Sequence, residues 1–302
     1  MKQIIFICTL LIMQASAFAS TEYVATTAKF NLPNEWSFGE VVGVVENNHG
    51  HRYIFNRGDH QLLEFNKNGD FVKEIGHGQF SKPHGLRLDR QGNIWTTDTE
   101  THLVQRFAPS GQVTMVLGMK NKASEGWFDR DYNLTLLNSP HDVAFDKSDN
   151  IFVVDKGNHR IIKFNPDGLL LKTWGQKGDK KGEFNFAHSI VIDKSDRVLI
   201  ADRENKRIQL FDLNGNFINQ WTDLGYPYVL VSSNDSVWFT DARHERIQKL
   251  DLNGKLLKTI QGIKGRNLEQ FGFAHGLHVT KQEHLIVTQV LNWSVLLLKP
   301  KF

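Results

Sequence analysis

The sequence predicts an all-β chain folded as a six-bladed β-propeller with four-stranded blades, and two repeating signals carry that prediction. One is a hairpin signature that returns five times: Phe65-Asn66-Lys67-Asn68-Gly69, Phe107-Ala108-Pro109-Ser110-Gly111, Phe164-Asn165-Pro166-Asp167-Gly168, Phe211-Asp212-Leu213-Asn214-Gly215 and Leu250-Asp251-Leu252-Asn253-Gly254. Each ends in a glycine that supplies the positive φ of a tight turn between antiparallel strands. The other is a set of alternating strands ahead of these turns, such as Ile94 to Asp98, Ile151 to Asp155 and Val198 to Asp202, with copies roughly 40 to 57 residues apart. That period holds four short strands. Second-strand ends fall at Asn56, Asp98, Asp155, Asp202, Asp241 and Gln289, hence six units. Sheets repeated radially around an axis hide most of their edges, which is how such a chain avoids open strands.

In chain order, residues 1–19 read as a signal peptide: Lys2, the apolar run Ile4 to Met13, then small residues Ala15, Ala17 and Ala19 suited to cleavage. The single cysteine, Cys8, lies inside that run, and an exported domain of this size buries a core without disulfides. A secreted or periplasmic location follows, with no membrane span after cleavage. Residues 20–302 read as one domain, because the repeats leave no linker between them. The last unit is short of an outer strand after Val295 to Lys299, so residues near Tyr23 to Phe30 are expected to supply it and clasp the ring shut. Between the second and third units, Gly118 to Ser139 forms an insertion with Trp127, Phe128 and Tyr132, suited to a pocket wall or a partner surface. No stretch has sustained helical periodicity. The 36 basic and 33 acidic residues are interspersed, which argues against a nucleic-acid partner. Oligomeric state is open at this level.

Fourteen residues before the six strand ends stand Val42, His84, His141, His188, Pro227 and His275. Composition predicts well under one histidine in six such positions. The position opens each innermost strand, at the mouth of the central channel. His84, His188 and His275 belong to the second, fourth and sixth units, so sixfold geometry sets them about 120° apart. Three neutral imidazoles in a tripod leave a fourth position open, as catalytic zinc requires. His141, in the third unit, breaks the threefold pattern and reads as a residue that lines the channel or supports a ligand from outside. Arg57 and Arg203 each follow a second-strand end and can face the same rim, where either could hold a carboxylate or a developing oxyanion.

With these residues in place, Glu183-Phe-Asn-Phe-Ala-His188-Ser-Ile, Ala201-Asp-Arg203-Glu-Asn-Lys-Arg-Ile-Gln209, Pro83-His84-Gly-Leu and Phe55-Asn-Arg57-Gly-Asp-His60 resemble the catalytic domain of peptidyl-α-hydroxyglycine α-amidating lyase, one of the NHL-repeat propellers. The resemblance implies zinc held by His84, His188 and His275, with Arg57 and Arg203 receiving a carboxylate-bearing hydroxyglycine. It implies cleavage of a carbinolamide C–N bond to an amide and glyoxylate, on a small-molecule or peptide substrate. It also implies a structural calcium on the carbonyls of Val44 and Leu86 and on an aspartate after the last histidine. That residue is Gly276 here, so the calcium set is incomplete. The family's tyrosine base would fall in Asp155-Lys156-Gly157-Asn158-His159-Arg160, which contains none. Tyr228 and Lys156 are the candidates to replace it. The alternative is a non-catalytic propeller that keeps the metal on its axis and uses its loop-rich face for binding. A calcium-dependent lactonase-like propeller would need acidic and amide axial ligands where histidines stand.

Overall fold

The computed structural model describes residues 23–124, 135–267 and 269–301. The signal segment with Cys8, and Trp127, Phe128 and Tyr132 of the insertion, lie outside the described residues.

Six four-stranded antiparallel sheets form the ring of a six-bladed propeller. Their innermost strands are Val41–Glu46, Pro83–Leu88, Pro140–Phe145, Ala187–Ile192, Leu230–Ser233 and Ala274–Val279. Their second strands end at Asn56, Asp98, Asp155, Asp202, Asp241 and Gln289, where the repeat places them. The five hairpin glycines all adopt left-handed φ, between 76° and 98°, and join the third strand of each blade to the fourth. The expected clasp is present: Tyr23–Thr27 pairs antiparallel with Ser294–Pro300, so the sixth blade is completed from the opposite end of the chain.

Alternation along the strands puts apolar side chains between blades. The described residues form six apolar clusters, and each lies between neighbouring blades: Phe55, Leu62 and Ile75 meet Phe80, Leu86 and Phe107 across the first and second, while Val41, Ile54 and Phe65 meet Ile286 and Val295 where the ring closes. Phe55, Phe107, Phe152 and Phe164 have no exposed surface. Each such ring contributes about 1.5–3 kcal/mol relative to an exposed one. Among the described residues no helix is long and apolar enough to cross a membrane.

Candidate metal centre

In five of the six blades one side chain sets where the innermost strand begins. The residue at the second-strand end accepts a hydrogen bond from the backbone N–H seventeen residues upstream: Gly39 to Asn56 (2.9 Å), Ser81 to Asp98 (2.7 Å), Asn138 to Asp155 (2.7 Å), Asn185 to Asp202 (2.8 Å) and Gly272 to Gln289 (2.6 Å). These acceptors are fully buried or nearly so, where an unmade hydrogen bond is expensive. Holding the chain three residues before the histidine position fixes that position at the channel mouth. The fifth blade departs from the pattern, since Asp241 binds Arg246 and His244 instead and Pro227 stands in the histidine slot.

His84, His188 and His275 meet on the axis. Their ring centroids are 4.8, 5.1 and 5.2 Å apart, a nearly equilateral triangle, and their ligand atoms lie within 4.8 Å of one another. Each donates Nδ1–H to a carbonyl of the following blade: His84 to His141 (2.9 Å), His188 to Tyr228 (3.0 Å) and His275 to Val42 (2.9 Å). A carbonyl can only accept, so Nδ1 carries the proton and Nε2 keeps its lone pair. His141 behaves differently. Its Nδ1 donates to Ser139, two residues back in its own blade (2.9 Å), while its carbonyl supports His84. It packs against His84 at 4.0 Å without joining the triangle.

One of these acceptor carbonyls is itself held: Thr97 Oγ1 donates to the His141 carbonyl and accepts from Gly85 N–H. Thr240 Oγ1 donates likewise to the His275 carbonyl. Gly85 and Gly276 are glycines for this reason: a Cβ on Gly85 would stand 2.5 Å from the His141 carbonyl, and one on Gly276 would stand 2.7 Å from that of Val42. An aspartate at 276 therefore does not fit this ring, and the calcium set drawn from the resemblance loses its carboxylate on steric grounds. Val44 and Leu86 line a cavity of about 20 Å³ behind the histidines. The carboxylate there, Asp142, is held by Arg87 through Nε (2.8 Å) and Nη2 (2.5 Å). A guanidinium already supplies the positive charge on this side of the axis.

Burial, reinforced by neighbouring imidazoles, holds His84 and His188 well below the usual imidazole range. Burial also lowers His275 to about 4 and His141 to about 3. All four are neutral near pH 7, the state in which imidazole binds a metal. Without metal, the unfolded chain takes up protons that the folded chain refuses. Stability is thus complete above the unfolded value near 6.5 and is lost as pH falls from there toward the folded values. Urea midpoints of chelator-treated protein are expected to drop between about pH 7.5 and pH 5, with on the order of 2 kcal/mol traceable to His275 at the lower pH.

On the solvent side a mouth of about 300 Å³ opens over the three imidazoles, lined by Arg57, Lys82, Lys156, Arg203, Tyr228 and Phe186 among others, with no carboxylate among the described lining residues. Arg203 lies between aromatic faces, its guanidinium 3.7 Å from the Phe186 centroid and 4.7 Å from that of Tyr228. Glu204 takes its Nε edge (2.8 Å) and also binds Arg243 (2.6 Å), whose Nε donates to Tyr228 Oη (3.2 Å). Phe186 has a left-handed φ of 66°, uncommon for a bulky residue and typical of functional sites. Arg57 donates to the Pro83 carbonyl (3.0 Å) and pairs with Glu40 (2.7 Å). Lys156 sits on a single 3-10 turn after the third blade's second strand, its ammonium 4.4 Å above Phe186. Burial, with Arg203 and Lys82 nearby, lowers its pKa.

The sequence residues thus converge: three histidines on the axis, His141 beside them, and Arg57, Arg203, Tyr228 and Lys156 around the rim. Residues 80–107, 137–164 and 184–211, the inner three strands of the second, third and fourth blades with their lead-in loops, match the NHL repeat. The chain contains NHL repeats. This NHL propeller is 32% identical over 167 residues to peptidyl-glycine alpha-amidating monooxygenase B of Xenopus laevis, covering 46% of this chain and 18% of that one. It is 28% identical over 171 residues to peptidyl-alpha-hydroxyglycine alpha-amidating lyase 2 of Drosophila melanogaster, covering 47% and 40%. The matched region is thus less than half the length of these relatives. Among solved structures, virginiamycin B lyase from Staphylococcus aureus superposes with a TM-score of 0.62 at 14% identity, over 91% of this chain and 84% of that one, a likeness of fold alone.

Proposed function

We propose that this NHL propeller is an exported zinc-dependent lyase that splits the C–N bond of a peptidyl-α-hydroxyglycine-like carbinolamide into an amide and glyoxylate. The observation that carries the reading is three alternate-blade imidazoles, each with Nδ1 committed to the next blade, at the floor of a mouth whose charged lining residues are all cationic. His84, His188 and His275 would hold the metal. Zinc so held supplies a Lewis acid for a substrate oxygen. The mouth's cations suit the carboxylate that such a substrate carries. Arg203, held between the Phe186 and Tyr228 rings, presents what remains of its edge without moving, so little side-chain entropy is lost on binding.

The reaction consumes no water: one proton leaves the carbinol hydroxyl as its C=O forms, and one reaches the departing amide nitrogen. We assign the first to Tyr228, whose ring lies 5.0 Å from that of His188. Its oxygen accepts from Arg243 Nε (3.2 Å), which fixes the direction of the hydroxyl. Lys156, its ammonium 4.4 Å from the Phe186 ring, would return the second. Release of glyoxylate from α-hydroxyhippurate is the expected result. Arg203→Ala is expected to cut kcat/KM by about 10²-fold, and Arg203→Lys to recover little, because an ammonium lacks the planar fork. Unchanged kinetics would demote Arg203 to a hairpin residue.

A specific observation favours a second reading. The third blade's turn, Asp155 to Arg160, contains no tyrosine where the resemblance implies one, and a propeller without that base could serve as a ligand-binding module with metal on its axis. Full zinc occupancy with no turnover would select that reading.

A further inference from the structure

Besides the axial three, the described residues bring together one further set of three metal-binding side chains, His60, Glu74 and His77, with ligand atoms within 4.8 Å of one another. All three belong to the first blade and lie on the same face as the mouth. His60 is in the loop after the second strand, three residues beyond Arg57; Glu74 is near the end of the fourth strand, Phe71–Ile75; His77 stands in the turn that follows. One carboxylate is bracketed by two imidazoles: Glu74 Oε2 accepts from His60 Nδ1 (3.1 Å) and Oε1 from His77 Nδ1 (3.0 Å). The two rings are 5.9 Å apart and tilted by only 29°.

Two of the three are fixed in place. Trp36 stacks on His60 with 3.3 Å between centroids and 8° between planes, and the Glu74 side chain is 15% exposed. His77 is 70% exposed and flanked by Gly76 and Gly78, both at left-handed φ, so it can adjust by the fraction of an ångström that coordination asks. The neighbouring cation does not compete, since Lys73 is engaged by the Pro109 carbonyl and Glu64. Two neutral imidazoles and a carboxylate carry one negative charge and suit a borderline divalent ion rather than calcium or magnesium.

We propose that His60, Glu74 and His77 bind a second divalent transition-metal ion, independently of the axial histidines. The ion would take the Nδ1 lone pairs of His60 and His77, the proton of each neutral imidazole moving to Nε2, and tie the loop bearing Arg57 to the turn that leads into Pro83 and His84. It would act as a clip on one side of the mouth.

Full-length protein, stripped with chelator, would be titrated with Co²⁺, following visible absorption, with bound metal counted by equilibrium dialysis. The wild type is expected to take about two equivalents, and Glu74→Gln and His77→Ala about one each, with a residual outer affinity at least about tenfold weaker. His188→Ala is expected to keep the outer equivalent. Because His77 is exposed, unchanged thermal melting of His77→Ala would separate lost binding from lost fold. A second equivalent that survives both Glu74→Gln and His77→Ala, or a wild type whose bound Co²⁺ vanishes entirely in His188→Ala, would overturn the proposal. A single equivalent that vanishes in His77→Ala and persists in His188→Ala would uphold it while refuting the axial centre.

Discussion

His188→Ala is expected to remove the axial zinc, one equivalent per chain, and to reduce glyoxylate release by at least about 10⁴-fold. Two imidazoles cannot complete the tripod, and the Tyr228 carbonyl that His188 supports loses its donor. The informative companion is His141→Ala. Both residues are buried histidines on the same axis, 5.3 Å apart, so a general loss of packing would affect them alike. The hydrogen bonds separate them: His188 Nδ1 is committed across the blade boundary, that of His141 to Ser139 within its own blade. Elemental analysis should find the axial zinc retained in His141→Ala and one equivalent fewer in His188→Ala. Equal loss in both would sink the three-ligand assignment.

The second large effect is on stability. Arg87 leaves the second blade and crosses the axis, binding Asp142 of the third, Ser189 Oγ of the fourth (3.1 Å) and the Leu230 carbonyl of the fifth (3.1 Å). The Asp142 side chain is 5% exposed and that of Arg87 17%. Arg87→Ala would strand a buried carboxylate with no cation, at a cost of about 3–5 kcal/mol, which for a chain of this size lowers the melting temperature by roughly 5–8 °C. Arg87→Ala combined with Asp142→Asn removes both charges and should recover much of that loss. If the double variant melts no higher than the single, the pair is not what joins these four blades.

The ring and its histidines were legible because both repeat. A latch seventeen residues long recurs in five blades, so an offset counted from the strand ends finds the imidazoles without any knowledge of contacts. The rest of the site does not repeat. Arg87 and Asp142 meet across 55 residues, and Glu204 meets Arg243 across 39; each pair forms only because the ring curves, and nothing periodic marks either partner. The carbonyl-bracing threonines were within reach, since Thr97 and Thr240 both stand one residue before a second-strand end. So was Gly276, had a glycine after a slot histidine been read as room for the next blade's carbonyl rather than as a missing calcium ligand. Lys82 was overlooked because a lysine before Pro83 looks like any loop cation until the mouth surrounds it.

The clasp between Tyr23–Thr27 and Ser294–Pro300 dictates an order of assembly. His275 rides on the blade that this clasp completes and rests on Val42 of the first blade, 233 residues away. Contacts of such separation form late, after the loop entropy of nearly the whole chain has been surrendered. A nascent chain therefore has no place for the axial ion until its two ends have met, and the moment of metal uptake during refolding would time ring closure itself.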